Sequence, residues 1–499
     1  MELQFHKTQI PYLRTALRET QNQEQTQEVR LADGMPDVGH VLSCWGQVLI
    51  RGKEWRSGGI SVSGGVMVWV LYAPEDGSEP QCVETWLPFQ TKWDFQSDEQ
   101  DGTITVQPLL RNVDARSTSA RKLMVRANVG ILAEALCADD AGLSMPDTLP
   151  EDICILKNTY PMCLPMEAGE KAFTLEETLS LPASMPTPVK LIRYELRPEL
   201  TEEKILADKL VFRGTAIAHI LYCGIDGQLY NFDFEVPFSQ YAELDREYTA
   251  QANAKVCMAV TNLEIEQGAE ENLILKAGLT GQYTVYDSVN VEVIEDAYSP
   301  KRQVVPENVL LYLPEVLDFK TEKIHAESTM ESDSIRVADT AFYPNQVHMF
   351  REGEKMVGEL SGTFQMLSYD ENGKLKATTN HWEDSWNTIV GEDAKVEVFL
   401  QPVGKYAISS NAAGAELKAE LLMNMQVIAE KGIPMVTGLE LGEIQEPDPN
   451  RPSLILCRMG TQRLWDVAKR TGSTMEAIQK ANDLQKEPES NRILLIPVL

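Results

Sequence analysis

The chain has 499 residues, and its 75 acidic and 45 basic side chains give a formal charge of −30 and an isoelectric point near 4.6. This charge excludes general binding to nucleic acid or to anionic lipid, since both need a basic surface. The eight cysteines are scattered singly, which predicts a reducing compartment. No apolar run reaches the length of a membrane span, and the first residues lack the pattern of an export signal. We therefore predict a cytoplasmic chain without direct membrane insertion.

The N-terminal segment, residues 1–25, is polar and rich in glutamine, and both a short helix and a lead-in to the first domain remain open for it. Three similar stretches follow. We predict repeats at 26–168, 169–318 and 319–442, the third being divergent.

A predicted β-hairpin identifies each repeat, most clearly at residues 209–238, where two alternating apolar runs flank an Asp226-Gly227 turn. Tyr72 and Asp76 precede Tyr222 and Asp226 by the same 150 residues. In the third repeat Tyr369 stands before an Asn372-Gly373 turn with one residue fewer between them. The Asp-Gly pairs are what a hairpin turn requires and lack the spacing of a calcium loop.

Convincing helical periodicity is absent until the C-terminus, so we predict three tandem antiparallel repeats, either β-sandwiches or barrels. Proline-containing connectors are expected at 149–169 and 298–316. A proline-rich linker is expected at 443–453, where apolar residues are few.

The last segment, residues 454–499, predicts a strand, two short helices and a final strand. Helix one is expected from about Thr461 and ends at Gly472, a residue suited to a left-handed cap. Helix two is expected to open with a capping box at Ser473. This module carries a net charge of +2, which leaves −32 on the rest of the chain.

The module resembles a LysM domain at four positions that we expect to be structural: Leu464, Trp465, Asn482 and Ile496. LysM domains bind N-acetylglucosamine polymers between two loops, which correspond here to 458–463 and 484–491. The resemblance implies that the binding residues, for a glycan or for a partner, are Arg458, Thr461, Gln462, Arg463, Leu484 and Asn491. The usual Gly-Asp-Thr run is replaced by Thr461-Gln462-Arg463, which weakens the glycan interpretation.

The tandem repeats followed by a LysM-like module resemble the SPOCS-domain sporulation proteins of the SipL type. This resemblance implies a non-enzymatic scaffold of spore coat assembly in the mother cell of a sporulating bacterium. It also implies location at the forespore surface, and binding there to the ATPase that polymerises on that surface and possibly to other coat proteins. The alternative is an anchor that binds peptidoglycan.

An enzyme with a LysM targeting domain is the third possibility, and the residues do not favour it. The six histidines form no HExxH motif and have no cysteine neighbours at metal spacing. No nucleophile elbow and no phosphate-binding loop is present. We predict no catalytic residues, no metal and no cofactor, and we interpret His219 as an ordinary sheet residue.

Overall fold

The computed structural model describes residues 3–95, 101–268, 272–330, 336–411, 414–446 and 451–499. Over these residues the chain is mainly β-strand with two short helices, so the predicted mainly β fold class is confirmed. Apolar residues alternate with polar ones along most strands, as sheets with one buried face require.

Nineteen strands fall into three consecutive units. Unit 1 contains β1 (Phe5–Arg30), β2 (Val38–Arg56), β3 (Gly59–Pro74), β4 (Gln81–Asp94), β5 (Thr103–Ser119) and β6 (Lys122–Pro146). Unit 2 contains β7 (Cys154–Leu179), β8 (Pro188–Leu206), β9 (Lys209–Gly224), β10 (Leu229–Glu243), β11 (Asn253–Gln267) and β12 (Leu273–Tyr298). Unit 3 contains β13 (Val304–Met330), β14 (Arg336–Pro344), β15 (His348–Glu352), β16 (Lys355–Tyr369), β17 (Leu375–Ile389), β18 (Lys395–Asn411) and β19 (Gly414–Leu441).

Each unit has two separate antiparallel sheets with the same strand order. Unit 1 pairs β1-β6-β5 and β2-β3-β4, and unit 2 pairs β7-β12-β11 and β8-β9-β10. Unit 3 pairs β13-β19-β18, while β14, β15 and β17 all pair with β16. In unit 1, Val66 and Val68 of one sheet share a buried core with Val125 and Ala127 of the other. The two sheets of unit 1 therefore pack as a sandwich.

The β-bulges of unit 1 recur in unit 2 at the same 150-residue interval as the sequence motifs. The pairing register shifts around residues 39, 42, 51 and 111 of unit 1 and, 150 residues later in each case, around residues 189, 192, 201 and 261 of unit 2. A bulge changes strand direction and twist, so a shared set of bulges means a shared local shape. Internal duplication stays a prediction, and these bulges support it.

The third hairpin is not shortened. The turn glycines Gly77, Gly227 and Gly373 all have positive φ, between 72° and 76°. A bulge one residue before Ser43, Arg193 and Asp339 fixes the register in all three units. This register places Ser368, not Tyr369, at the position of Tyr72 and Tyr222. The prediction that the third hairpin is one residue shorter is therefore wrong. It compared Tyr369 with Tyr72 and Tyr222, whereas Ser368, the residue before Tyr369, occupies their position.

The predicted connections differ from the observed strands. The described part of the segment 1–25, which starts at residue 3, contains no helix, because residues 5–30 form β1. Most of both predicted connectors belongs to β7 and β13. The boundaries placed at 25/26, 168/169 and 318/319 fall inside β1, β7 and β13. Prolines suggested connectors near the second and third of these boundaries, but β7 and β13 are edge strands, where a missing N–H costs no ladder bond. Residues 447–450 of the predicted linker lie outside the described residues.

The outer halves of three long strand pairs, β1–β6, β7–β12 and β13–β19, pack against one another, and we call this bundle the stem. Its apolar core takes residues from all three units: Tyr12, Ala141, Leu143, Met162, Leu164, Val291, Val293, Leu313, Ile433 and Met435. A second core near the end of the stem joins Ile153 and Ile294 to Val436 and Leu439. The three units are thus packed against one another through the apolar cores of the stem.

Candidate functional site

The C-terminal module has the predicted element order: β20 (Leu454–Arg458), α1 (Leu464–Thr471), α2 (Met475–Ala481) and β21 (Ile493–Pro497). Helix α1 starts at Leu464, three residues later than expected, where the Asp466 carboxylate accepts from the backbone N–H of the N-cap residue Arg463 at 3.3 Å. It ends at Gly472 with φ of 65°, as predicted. Helix α2 is capped by Thr474, whose hydroxyl accepts from the Ala477 N–H, and the expected Ser473 cap is wrong.

The four residues expected to be structural hold the module together. Leu464, Trp465 and Ile496 lie in its buried core. The Asn482 side chain joins α2 to β21, because its amide donates to the Leu495 carbonyl at 2.6 Å and its oxygen accepts from the Leu495 N–H at 2.8 Å. This pair of bonds fixes the final strand against the helices.

The two predicted binding loops are adjacent in the structure. The Asn491 N–H donates to the Met459 carbonyl at 2.8 Å, and the Met459 N–H donates to Arg492 at 2.9 Å. Asn491 takes the left-handed conformation, φ 69°, that a glycine would take there. The remaining predicted binding residues border the same area: exposed Arg458, Thr461, Gln462 and Arg463, and half-buried Leu484. Their role in binding stays a prediction.

The two-stranded sheet of the module has an apolar face that is exposed to solvent. The sequence analysis did not predict this face. Strands β20 and β21 bury Ile455, Cys457, Leu494 and Ile496 toward the helices. Their other face exposes Leu454 by 54%, Leu456 by 74%, Ile493 by 63% and Leu495 by 36%. The signal was present in the sequence, since ILLIP is apolar at every position, a pattern of strands covered on both faces. We call Leu454, Leu456, Ile493 and Leu495 the module face.

The module is docked on the stem through α1, on the side away from the module face. Trp465 packs edge-to-face on Tyr298, with 4.7 Å between ring centroids, and its indole N–H donates to Asp296 at 2.8 Å. Lys469 contacts the same carboxylate at 2.7 Å, and Arg463 lies 3.7 Å from Glu295. Trp465 therefore lies in the joint between the module and the stem.

A buried charge cluster lies where the three units meet. Arg193 of unit 2 has its guanidinium 5.0 Å above the Trp45 ring of unit 1, and its Nε lies 3.0 Å from Asp339 of unit 3. His219 lies 2.9 Å from Asp339 and 2.7 Å from Asp233. We call the set Arg193, Glu195, Arg197, His219, Asp233 and Asp339 the charge cluster. Every charged group in it faces another member, so its arrangement fits a structural joint.

His219 is more than the ordinary sheet residue that was expected. Both ring nitrogens face carboxylate oxygens, which only accept hydrogen bonds, so both nitrogens carry protons. Burial by itself lowers the pKa of His219, but the charge of Asp339 and the bonds to Asp233 and Asp339 outweigh burial and the repulsion of Arg193. The pKa of His219 is therefore raised.

We expect stability to depend on this proton. A histidine with a raised folded pKa stabilises fully below its unfolded value, near 6.5, and loses that contribution as pH rises through the folded pKa. The difference in urea midpoint between the wild type and His219→Gln should therefore shrink as pH rises from 6 to 9. The other members of the charge cluster are present in both proteins, so the change of this difference with pH reports on the side chain at position 219. A difference independent of pH would refute the assignment.

A cleft of about 830 Å³ is lined by residues of all three units. Its ionisable groups are engaged with one another: Arg18 pairs with Glu134 and Glu397, and Lys255 donates to Gln426 at 3.2 Å. Burial raises the pKa of Glu203 to about 7, against a backbone N–H bond that lowers it. These contacts tie the units together.

Within the described residues, no group of three or more His, Cys, Asp or Glu is placed to hold a metal ion. The helices described are also too short to cross a membrane.

Residues 189–267, which run from β8 through β11, match the family model described as the SipL, SPOCS domain. No curated protein and no solved structure matches the chain. The match confirms the SPOCS resemblance over those residues and associates the chain with sporulation. For the module, the LysM resemblance stays a prediction.

Proposed function

We propose that this protein is a non-enzymatic scaffold of spore envelope assembly, and that its C-terminal module binds a protein partner through the module face. The observation that carries the proposal is the exposure of four large apolar side chains on one small sheet. Soluble proteins rarely leave such a patch uncovered, and a contiguous apolar face with a polar border is typical of a protein interface.

The geometry of the module face favours a protein over a glycan. Cross-strand pairs place Leu456 opposite Leu495 and Arg458 opposite Ile493, so one predicted binding residue lies at the end of the face. Sugar sites need converging hydrogen-bond donors and acceptors. The module face instead offers aliphatic side chains with arginine at its border, a composition that suits a desolvated interface core.

The partner proposed on the basis of the SPOCS and LysM resemblance is the ATPase that polymerises on the forespore surface. The module would then hold the three units at that surface, where they would present their own surfaces to other coat proteins. Their acidic charge limits nonspecific association, while the slightly basic module supplies targeting. The location proposed is the mother-cell side of the forespore.

A two-bait sedimentation experiment tests this function. The full chain is incubated either with polymers of the purified ATPase or with insoluble peptidoglycan, and the pellet is quantified. We expect retention on the ATPase and none above background on peptidoglycan. Retention on peptidoglycan alone would contradict the proposal and identify a wall anchor that binds through the loops around Thr461 and Asn491.

A further inference from the structure

The stem carries a second apolar surface, found only in unit 3. The three edge strands share one register, because each has a bulge four residues after a buried position: Ala16 after Tyr12, Met166 after Met162 and Leu317 after Leu313. The preceding positions also share one pattern of exposure, with three exposed side chains and one half-buried one. The residues at these positions can therefore be compared directly.

Units 1 and 2 place polar residues or proline at the exposed positions, and unit 3 does not. Unit 1 has Thr8, Gln9 and Pro11, and unit 2 has Asn158, Thr159 and Pro161. Unit 3 has Val309, Leu310 and Tyr312, exposed by 43%, 56% and 55%. Burial in the stem does not explain the difference, since all nine positions are exposed.

The paired strand shows the same contrast. Pro11 and Pro161 lie opposite Asp140 and Asn290, whereas Tyr312 lies opposite Gly432. Thr159 lies opposite Glu292, whereas Leu310 lies opposite Pro434. Unit 3 therefore has an uncharged patch on the outer face of this strand pair, Leu310, Tyr312 and Pro434, which we call the stem patch.

The edge of β13 carries no proline between Pro306 and Pro314, so this stretch is open to a further strand. A proline on an edge strand lacks an outward N–H, and this is one means by which proteins prevent edge pairing. Tyr312 has the N–H that Pro11 and Pro161 lack at the same position. β13 pairs only with β19 over its described length.

The surroundings of the stem patch indicate the charge of its occupant. Exposed Glu307 and Glu440 lie on one side of the patch along these strands and Glu430 on the other. Lys431 lies 3.5 Å from Glu315 and is engaged there. A second copy of the chain would bring a charge of −30 against the same sign, so we take the occupant to be another protein.

We propose that the stem patch docks an extended segment of a partner protein in which apolar and basic residues alternate, added as a strand along β13. The apolar side chains would cover Leu310 and Tyr312, and the basic ones would face the acidic border. This surface is separate from the module face, so it would give the scaffold a second point of attachment.

The test uses the full chain and a fluorescent peptide in which valine and lysine alternate, followed by anisotropy. The variant Leu310→Thr/Tyr312→Pro gives unit 3 the residues that unit 2 has at these positions, and it leaves the charge unchanged. We expect it to weaken binding about tenfold or more, because each lost anchor costs roughly 1 kcal/mol or more. Gln9→Thr, at the equivalent site of unit 1, is the matched control and should bind as the wild type does.

Equal affinity for the wild type and the double variant would overturn the proposal. Equal binding of a peptide in which valine and glutamate alternate would show that the partner segment need not be basic. If the peptide-free chain dimerised and the double variant did not, the occupant of the stem patch would be a second copy of this chain and not another protein. Circular dichroism checks the fold, and Leu310→Thr/Tyr312→Thr, which contains no new proline, should weaken peptide binding as well. Changes to the module face should leave peptide binding intact, which separates this proposal from the proposed function.

Discussion

Replacement of Arg193 by methionine is expected to destabilise the protein by about 3–5 kcal/mol, the range for removal of one partner from a buried ion pair. Methionine keeps the length of the side chain but leaves Asp339, which is 0% exposed, without its guanidinium. It also removes the bond from Arg193 to the Thr340 carbonyl at 3.1 Å and the contact with Trp45. The substitution therefore removes contacts that join unit 2 to both unit 1 and unit 3.

The matched control is Arg213→Met. Arg213 pairs with Glu202 at 3.2 Å, but the two side chains are 58% and 50% exposed, so this change should cost less than about 1 kcal/mol. Urea unfolding followed by tryptophan fluorescence measures both variants. A midpoint for Arg193→Met as high as that of Arg213→Met would show that the charge cluster does not hold the units together. Partial recovery in Arg193→Met/Asp339→Leu would confirm that the unpaired carboxylate is the cause.

The sequence predicted local structure well where a residue acts through its own backbone preferences. The Asp226-Gly227 turn and the Gly472 cap follow from the left-handed conformation that glycine allows, and both are observed. The alternation along β9 likewise follows from one buried face. These features depend on neighbours in the chain.

Long-range features could not be predicted, because they depend on which strands meet. Asp339 lies far from Arg193 in sequence, and nothing local to either residue indicates an ion pair. The prolines of β7 were interpreted as a connector, because a proline on an edge strand and one in a loop look alike until the sheet order is known. The apolar core of unit 2 continues into units 1 and 3, where it includes Trp45 and Ala341. It could not be predicted either, because it also depends on which strands meet.

The candidate site was predicted in part. The resemblance located the module and the residues of its core, and the two loops do meet. The module face was missed because the resemblance directed attention to the sugar-binding loops of LysM domains. The apolar strand ILLIP was sufficient to predict a covered outer face.

Leu456→Ser/Leu495→Ser is expected to weaken binding of the ATPase about 1,000-fold. The two side chains are cross-strand neighbours at the centre of the module face, where interface hot spots cost roughly 2 kcal/mol each or more when truncated. Both are accessible to solvent, so the fold should survive the change. Ile225→Ser removes a side chain that is 77% exposed in a hairpin turn of unit 2, and should leave affinity unchanged.

The variant Gln462→Ala/Arg463→Ala separates the module face from the predicted binding loops. Arg463 is 61% exposed and Gln462 accepts from Arg470 at 3.0 Å, so both can be truncated without disturbing the module core. If the module face supplies most of the binding free energy, the double alanine variant should weaken binding less than about tenfold, as changes to border residues do.

The most direct measurement is the dissociation constant of the full chain and the purified forespore-coating ATPase, determined by titration for the wild type, Leu456→Ser/Leu495→Ser and Gln462→Ala/Arg463→Ala. The proposed scaffold function predicts tight binding by the wild type, a large loss in the first variant and a small loss in the second. Wild-type affinity in the variant that lacks Leu456 and Leu495 would contradict the module face as the binding surface.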